Sequence, residues 1–322
     1  MNIINQLENK IYKNENINLQ EYLNLSKVDN LKELCKASNR ICKKYNNTKI
    51  DLCSIMNAKC GACSEDCKYC AQSSFYNTSI KSHSLVSKED ALKLAKENEK
   101  LGINRFSLVT SGAALKGEDF ENILEVFKYL KQNSNIKLCA SLGIISYEQL
   151  VKLKEAGVTR YHHNLETSRD NFSNICTTHT YEHRIQTILK AQKAGIQVCS
   201  GGIIGMGETM EHRIKMALDL KKLQIKSIPI NVLTPIKGTP LENTPKLSYE
   251  EILRTIAIFR FINPKAFIRF AGGRLNMEDK GERGFLSGIN GAISGNYLTT
   301  NGNGAKDDVK MINKLGLKLI HN

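Results

Sequence analysis

The sequence contains no tryptophan. It also lacks any run of about 18 apolar residues of the kind that spans a bilayer. The N-terminal stretch MNIINQLENKIYKNENINLQEYLNL is polar and amphipathic, not a basic segment followed by a hydrophobic one. The expectation is a soluble, unexported, cytoplasmic protein with no membrane partner. Acidic residues are scarce beside basic ones, 32 against 46, and the net charge is +14. Clustered Lys and Arg bind nucleic acid by displacing counterions from phosphates. Here the lysines are spread over presumptive helix faces, there is no basic tail, and no aromatic stacking platform interleaves them. The charge is therefore read as a solvated surface, with no nucleic-acid partner.

Cysteine is plentiful, with ten in 322 residues. Cytosolic thiols are kept reduced, so metal ligation or thiol chemistry accounts for them better than a disulfide framework. Hydrophobic residues make up 41% of the chain, enough for one barrel-sized domain or two ordinary ones.

The first 45 or so residues carry apolar positions at helical spacing, among them Leu31, Leu34, Ala37 and Ile41. From Asp51 onward, short β-rich segments alternate with amphipathic helical ones. DLCSIMNAK, INRFSLVTSG, IKLCASLG, VTRYHHNLET, IQVCSGG, KSIPINVL, AFIRFAGG and NGAISGNYL read as successive strands, and most are followed by a helical segment. Ser87, Ser146 and Ser248 suit N-caps, while Gly102, Gly157 and Gly195 suit helix stops. Eight consecutive parallel units predict a (β/α)8 TIM-type barrel over residues 51–322, with a helical N-terminal extension over residues 1–50. Counting units leaves an open doubly wound sheet as the alternative.

Directly after the first strand stands Cys63-Ser-Glu-Asp-Cys67-Lys-Tyr-Cys70, where the C-terminal loops of a barrel build its active site. The spacing lets three thiolates converge from one tight loop. Three cysteines leave the fourth iron of a cubane open to a cofactor. Zinc usually takes four ligands in two pairs, and no second knuckle is present.

This CxxxCxxC loop, with aromatic Tyr69 before Cys70, resembles the radical S-adenosylmethionine superfamily. The resemblance implies a [4Fe-4S] cluster on Cys63, Cys67 and Cys70 that cleaves S-adenosylmethionine to a 5′-deoxyadenosyl radical. Within the superfamily the chain is most similar to the biotin synthase family, on NAKCGACSEDCKYCAQSS, RYHHNLETS, ICTTHTYEHRI, VCSGGIIGMGET, PINVLTPIKGTPL and FIRFAGGR. That family inserts sulfur into dethiobiotin. The resemblance implies that Asn164 and Glu166 hold the cofactor ribose and Arg184 its carboxylate. It also places the Tyr69 backbone near adenine and Asn231 at the ureido ring of the substrate. On residue type alone, Asn164 and Glu166 lie two apart on the fourth strand and share a face, Arg184 reads as a surface helix residue, and Asn231 reads as a loop cap.

The family also implies a second, sacrificial cluster inside the barrel, ordinarily [2Fe-2S], on three strand cysteines and an arginine. Cys139, Cys199 and Arg269 match three of those positions, and Ser107 occupies the fourth. Cys53, in phase with Ile55 on the first strand, is read as the substitute thiol, with Gly291 making room. The expected auxiliary cluster sits on Cys53, Cys139 and Cys199 near Arg269, either in the family's two-iron form or as a four-iron one with a spare sulfide. An inward-facing Arg269 needs an anionic partner. Cys60 is left as an oddity; Cys35, Cys42 and Cys176 are read as packing, dispensable for cluster content. The resemblance further implies a flavodoxin- or ferredoxin-type electron donor and a homodimer. The competing readings are a barrel maturase without sulfur insertion and an iron–sulfur scaffold or sensor. Lipoyl synthase is set aside, because its N-terminal CxxxxCxxxxxC and C-terminal RSSS motifs are absent.

Overall fold

A computed structural model describes residues 2–295, 298 and 302–320. Three helices open the chain: α1 (Ile3–Lys13), α2 (Leu19–Ser26) and α3 (Leu31–Asn46). Asn2, Asn18 and Asn30 precede them, and each accepts a hydrogen bond from a backbone N–H in the first turn. On α3, Leu34, Ala37 and Ile41 are fully buried, as their spacing predicts. Ser38 on the same face donates to the Ser287 carbonyl at 2.6 Å, tying this helix to the barrel.

The barrel follows as β1 (Lys49–Lys59), α4 (Lys88–Lys100), β2 (Arg105–Thr110), α5 (Gly117–Asn133), β3 (Lys137–Ser141), α6 (Tyr147–Glu155), β4 (Val158–His162) and α7 (Tyr181–Lys193). Its second half runs β5 (Gln197–Cys199), β6 (Gly202–Ile204), α8 (Met210–Lys222), β7 (Ser227–Val232), α9 (Tyr249–Ile262), β8 (Phe267–Phe270), α10 (Glu282–Phe285), β9 (Gly291–Ser294), α11 (Ala305–Lys314) and β10 (Lys318–Leu319). Ser87, Ser146 and Ser248 cap their helices as expected. All pairings between these strands are parallel, and β1 pairs with β2 on one side and β9 on the other. Asp51 lies opposite Gly291 and Ser54 opposite Ser294, so the sheet is a closed eight-stranded barrel and the open-sheet alternative falls.

Two details depart from the predicted beat. The fifth position is shared by β5 and β6, both of which pair with β7. The break falls at Gly201, where a Cβ would lie 1.9 Å from the Pro229 carbonyl oxygen; only glycine lets the backbones pass. Beyond α11 the chain returns as β10, pairing Lys318 with Lys49 and Leu319 with Ile50 beneath the closure. The expected strand NGAISGNYL is realised as β9, and its Asn296 and Tyr297 lie outside the described residues.

The closing segment is held by a buried ion pair. Arg274, in the turn after β8, donates from Nη2 to both carboxylate oxygens of Asp308 on α11 at 2.6 Å. Both side chains are completely buried. Ser294 and Asn303 donate to the same carboxylate at 2.5 and 2.9 Å, so β9, α11 and the β8 turn meet on one acid. Among the described residues no helix is long and apolar enough to cross a membrane.

Candidate active site

The cysteine loop leaves β1 at the C-terminal end of the barrel. Backbone pairing shapes it: the Cys63 N–H donates to the Gln72 carbonyl at 3.0 Å, Ser74 N–H to the Cys63 carbonyl at 2.8 Å, and Cys70 N–H to the Cys67 carbonyl at 2.9 Å. The thiols lie within electrostatic reach of one another. Burial and then neighbouring Cys63 push the Cys70 thiol up to about 11. Cys67 is raised well above its ordinary value, first by donating to Cys176, then by burial, with Cys70 adding to both. Thiolates that oppose each other's ionisation are stabilised together by a cationic iron core, so this loop fits a cluster.

Asp66, between Cys63 and Cys67, fastens the loop to the segment before α7. It accepts from the backbone N–H groups of Thr177 and Thr178 at 2.8 and 3.2 Å, and its Oδ1 lies 3.2 Å from Cys176 Sγ. Burial alone would raise its carboxyl, yet the bonds from Thr177 hold it well below the usual range. Asp66→Ala is expected to remove roughly 1–2 kcal/mol of anchoring from this half-buried site. The measurement is iron release to a chelator, several-fold faster in the variant, with an unchanged far-UV spectrum.

Cys176 is packed in the core as expected, and it also makes polar contacts there. Its Sγ lies 3.7 Å from Cys67 Sγ and 3.3 Å from His179 Nδ1. Donation from Cys67, against burial, and contact with His179 lower the Cys176 thiol to about 4. Glu65 in turn contacts His179 Nδ1. Burial disfavours the charged imidazole, but Cys176 and Glu65 together raise His179 above its ordinary value. A Cys and a His three apart in ICTTHT carried a sequence signal for this group, although nothing local placed it beside Cys67. Cys35 and Cys42, by contrast, lie on α3, away from both thiol groups. Cys60 pairs through its backbone with His83 and belongs to neither group.

A cavity of about 280 Å³ opens beside the loop, lined by Cys63, Cys67, Asn164, Glu166, Arg184 and Asn231 among others. Asn164 and Glu166 do share it, though strand alternation is not the reason. β4 ends at His162. Beyond it Leu165 and Glu166 donate to the Gly201 carbonyl at 2.9 and 3.1 Å, and Glu166 sits at φ +68°. A left-handed backbone at a non-glycine residue is costly and persists only where surrounding contacts enforce it. Here it turns the carboxylate back beside Asn164, whose Nδ2 donates to Glu166 Oε2 at 3.3 Å. Burial raises the Glu166 carboxyl above its ordinary value despite Arg184 nearby.

Arg184 is a buried residue of α7, not a surface one. Its Nη1 donates to the Asn164 carbonyl at 2.9 Å and lies 3.8 Å from Glu166 Oε1. The Tyr69 ring packs with Ile175, Met206 and Leu233, and its hydroxyl bonds to Glu166. Asn231, within β7, donates to the Gly202 carbonyl at 3.1 Å and accepts from the Gly272 N–H at 2.9 Å. It thus braces two neighbouring strands while facing the cavity.

Deeper in the barrel, Cys53, Cys139 and His162 bring their ligand atoms within 4.8 Å of one another. Cys199, on β5, accepts from the Ser227 hydroxyl at 3.1 Å, and Arg269 Nε donates to that hydroxyl at 3.1 Å. Arg269 does have an anionic partner, and it is a residue that the strand pattern did not single out: Asp51, at 2.6 Å. Arg160 reaches the same carboxylate at 3.1 Å and Arg105 approaches it at 3.8 Å. One acid thus faces three guanidinium groups on a buried floor, all at most 10% exposed at the side chain. The surplus positive charge suits an anionic group such as a thiolate-bound cluster. The Ser107 hydroxyl, Arg269 Nη1 and His162 Nε2 are buried without a hydrogen-bond partner, so the residues present fit such a group. The room at Gly291 is already taken: a Cβ there would lie 3.2 Å from Arg269 Cβ and 2.9 Å from the Asp51 carbonyl oxygen.

Two family models match the chain, the Radical SAM superfamily over residues 59–220 and the Biotin and Thiamin Synthesis associated domain over residues 229–318. The biotin synthase of Clostridium tetani is 60% identical over 99% of this chain and 99% of its own length. The chain belongs to the biotin synthase family. A second member, the biotin synthase of Acetivibrio thermocellus, is 52% identical over 99% of this chain and 100% of its own. Among solved structures, methylornithine synthase superposes with a TM-score of 0.84 at 19% identity, covering 98% of this chain and 97% of that one, a likeness of fold. Membership in the biotin synthase family carries the radical insertion of sulfur into dethiobiotin, with a four-iron cluster, S-adenosylmethionine and an auxiliary cluster as cofactors. The maturase, scaffold and sensor alternatives give way to this activity.

Proposed function

We propose that the two thiol groups, stacked at different depths of one barrel, divide the biotin synthase reaction between them. Cys63, Cys67 and Cys70 hold the upper four-iron cluster, which with S-adenosylmethionine supplies the hydrogen-abstracting radical. Asn164 and Glu166 bind the ribose hydroxyls, with the Glu166 carboxylate oriented by Tyr69 and Arg184. Arg184 carries the charge that meets the cofactor's carboxylate, and the Tyr69 backbone flanks the adenine. Asn231 presents its remaining amide capacity to the ureido ring of dethiobiotin. Below, Cys53, Cys139 and Cys199 hold the auxiliary cluster, with Arg269 and the other floor arginines balancing its charge. Ser107 leaves that set one thiol short of the family pattern, and Cys53 supplies the third.

Residues 1–50 form the helical extension and residues 51–322 the catalytic barrel. The reductant is an electron carrier of the flavodoxin or ferredoxin type. The working form is a cytoplasmic homodimer. The observation that carries the reading is the charged floor beneath a thiol group with unpartnered polar atoms.

The test is anaerobic turnover with dethiobiotin, S-adenosylmethionine and a reductant, with biotin and 5′-deoxyadenosine measured together. Both are expected from the unaltered chain. Deoxyadenosine without biotin would reject the assigned auxiliary site. Glu166→Gln keeps the shape and loses the charge, and is expected to weaken S-adenosylmethionine binding about tenfold, the scale of one charge-assisted hydrogen bond.

A further inference from the structure

β4 turns alternate side chains into the barrel, and its continuation carries the same face to the rim. Arg160 reaches Asp51 at the floor, 3.1 Å away, while Asn164 accepts from the Gly201 N–H at 3.2 Å near the rim. Between them stands His162. Its ring belongs to two environments: it lies with Cys53 and Cys139 in the lower group, and it lines the upper cavity alongside Cys63 and Asn231. Its Nε2 is buried and has no hydrogen-bond partner. In register, His162 pairs with Cys199, so a third auxiliary thiol position stands beside it on the neighbouring strand.

Two roles are open to such an imidazole: iron ligand or hydrogen-bond donor. A ligating histidine almost always anchors its second ring nitrogen on a carboxylate, a backbone carbonyl or water. His162 has no such protein anchor among the described residues; its ring faces the Cys53 and Cys139 thiols instead. An unanchored ring with a free, buried nitrogen suits a donor to sulfur. Hydrogen bonds to cluster sulfurs are also a recognised means of tuning them.

We propose that His162 is a positioning residue for sulfur insertion, donating a hydrogen bond from Nε2–H to the cavity-facing sulfur of the auxiliary cluster and holding it toward the substrate. This rests on the assignment of Cys53, Cys139 and Cys199 to that cluster. The sequence placed no role on this residue, since a histidine in RYHHNLETS reads equally as a packed core ring.

The experiment uses the full chain, reconstituted anaerobically and labelled with 15N only at histidine, beside His162→Ala and His162→Asn. Iron and acid-labile sulfide per chain are expected to be unchanged in His162→Ala, because no ligand is lost. Pulsed EPR of the reduced auxiliary cluster is expected to show a weak histidine nitrogen coupling that disappears in His162→Ala. In a single turnover, His162→Ala is expected to form deoxyadenosine while its biotin per deoxyadenosine falls at least tenfold. The shorter amide donor of His162→Asn is expected to restore part of that ratio. A strong, directly bonded nitrogen coupling with loss of iron in His162→Ala would make His162 a ligand and overturn the proposal, as would an unchanged biotin ratio. Absence of any second cluster in the unaltered chain overturns the assignment of the three cysteines first, and this role with it.

Discussion

Asp51→Asn is expected to destabilise the cluster-free barrel by about 3–5 kcal/mol, the cost of removing one partner from a buried ion pair. The carboxylate lies 2.6 Å from Arg269 and 3.1 Å from Arg160, and among the described residues no other carboxylate bonds to either of them. With its charge gone, three largely buried guanidinium groups face one another across the floor. Urea unfolding of the cluster-free protein measures the loss, as a lower midpoint at constant slope. In the cluster-loaded protein the loss is expected to be smaller, since bound thiolates and sulfides supply part of the missing negative charge.

The same residue fixes an acid dependence. Burial would raise the Asp51 carboxyl, but Arg269 and Arg160 hold it well below the ordinary range. A carboxyl depressed in the folded state contributes its stability fully above its unfolded value of about 3.9, and loses it as pH falls through the folded one. Stability of the unaltered chain is therefore expected to decline below about pH 4, and that part of the decline is expected to be missing in Asp51→Asn.

Arg274→Ala is expected to cost a similar amount, about 3–5 kcal/mol, by leaving Asp308 charged and buried. The effect is local in origin: Asp308 is the point where Ser294, Asn303 and Arg274 converge. Hydrogen exchange should show it as faster exchange in β9 and α11, while the helices of the N-terminal extension keep their protection. Replacing Arg274 and Asp308 together by apolar residues of similar volume is expected to recover most of the loss, because desolvation offsets much of what a buried pair gains. If the double replacement remains as unstable as Arg274→Ala, the ion pair is not the source of the effect.

The barrel and its cysteine loop were legible in the sequence because both are written locally. Strand and helix periods repeat along the chain, N-cap serines mark helix starts, and three cysteines within eight residues need no tertiary information to converge. What escaped depends on distant residues meeting. Cys176 and Cys67 are 109 positions apart, so nothing in the neighbourhood of either marks the contact. Asp51 sits in phase with Cys53 on β1, and an acid at that phase opposite an inward arginine was a usable signal. It looked like a strand-end residue because closure of the barrel decides which residues become its floor. Asn164 and Glu166 were correctly paired for the wrong reason: alternation suggested a shared face, whereas the positive φ at Glu166 creates it.

Closure of the barrel also has a temporal side. The partner strand of β1 on its second edge begins at Gly291, 240 positions after Asp51, and β10 seals the lower end later still. At ribosomal rates of about 5–20 residues per second, the first strand waits on the order of ten seconds or more with one edge unpaired. During that interval Cys53 and Cys139 have already been made, and no closed barrel can surround them until β9 is made. Until then the unpaired edge of β1 is a template for the wrong strand, a hazard that closure removes.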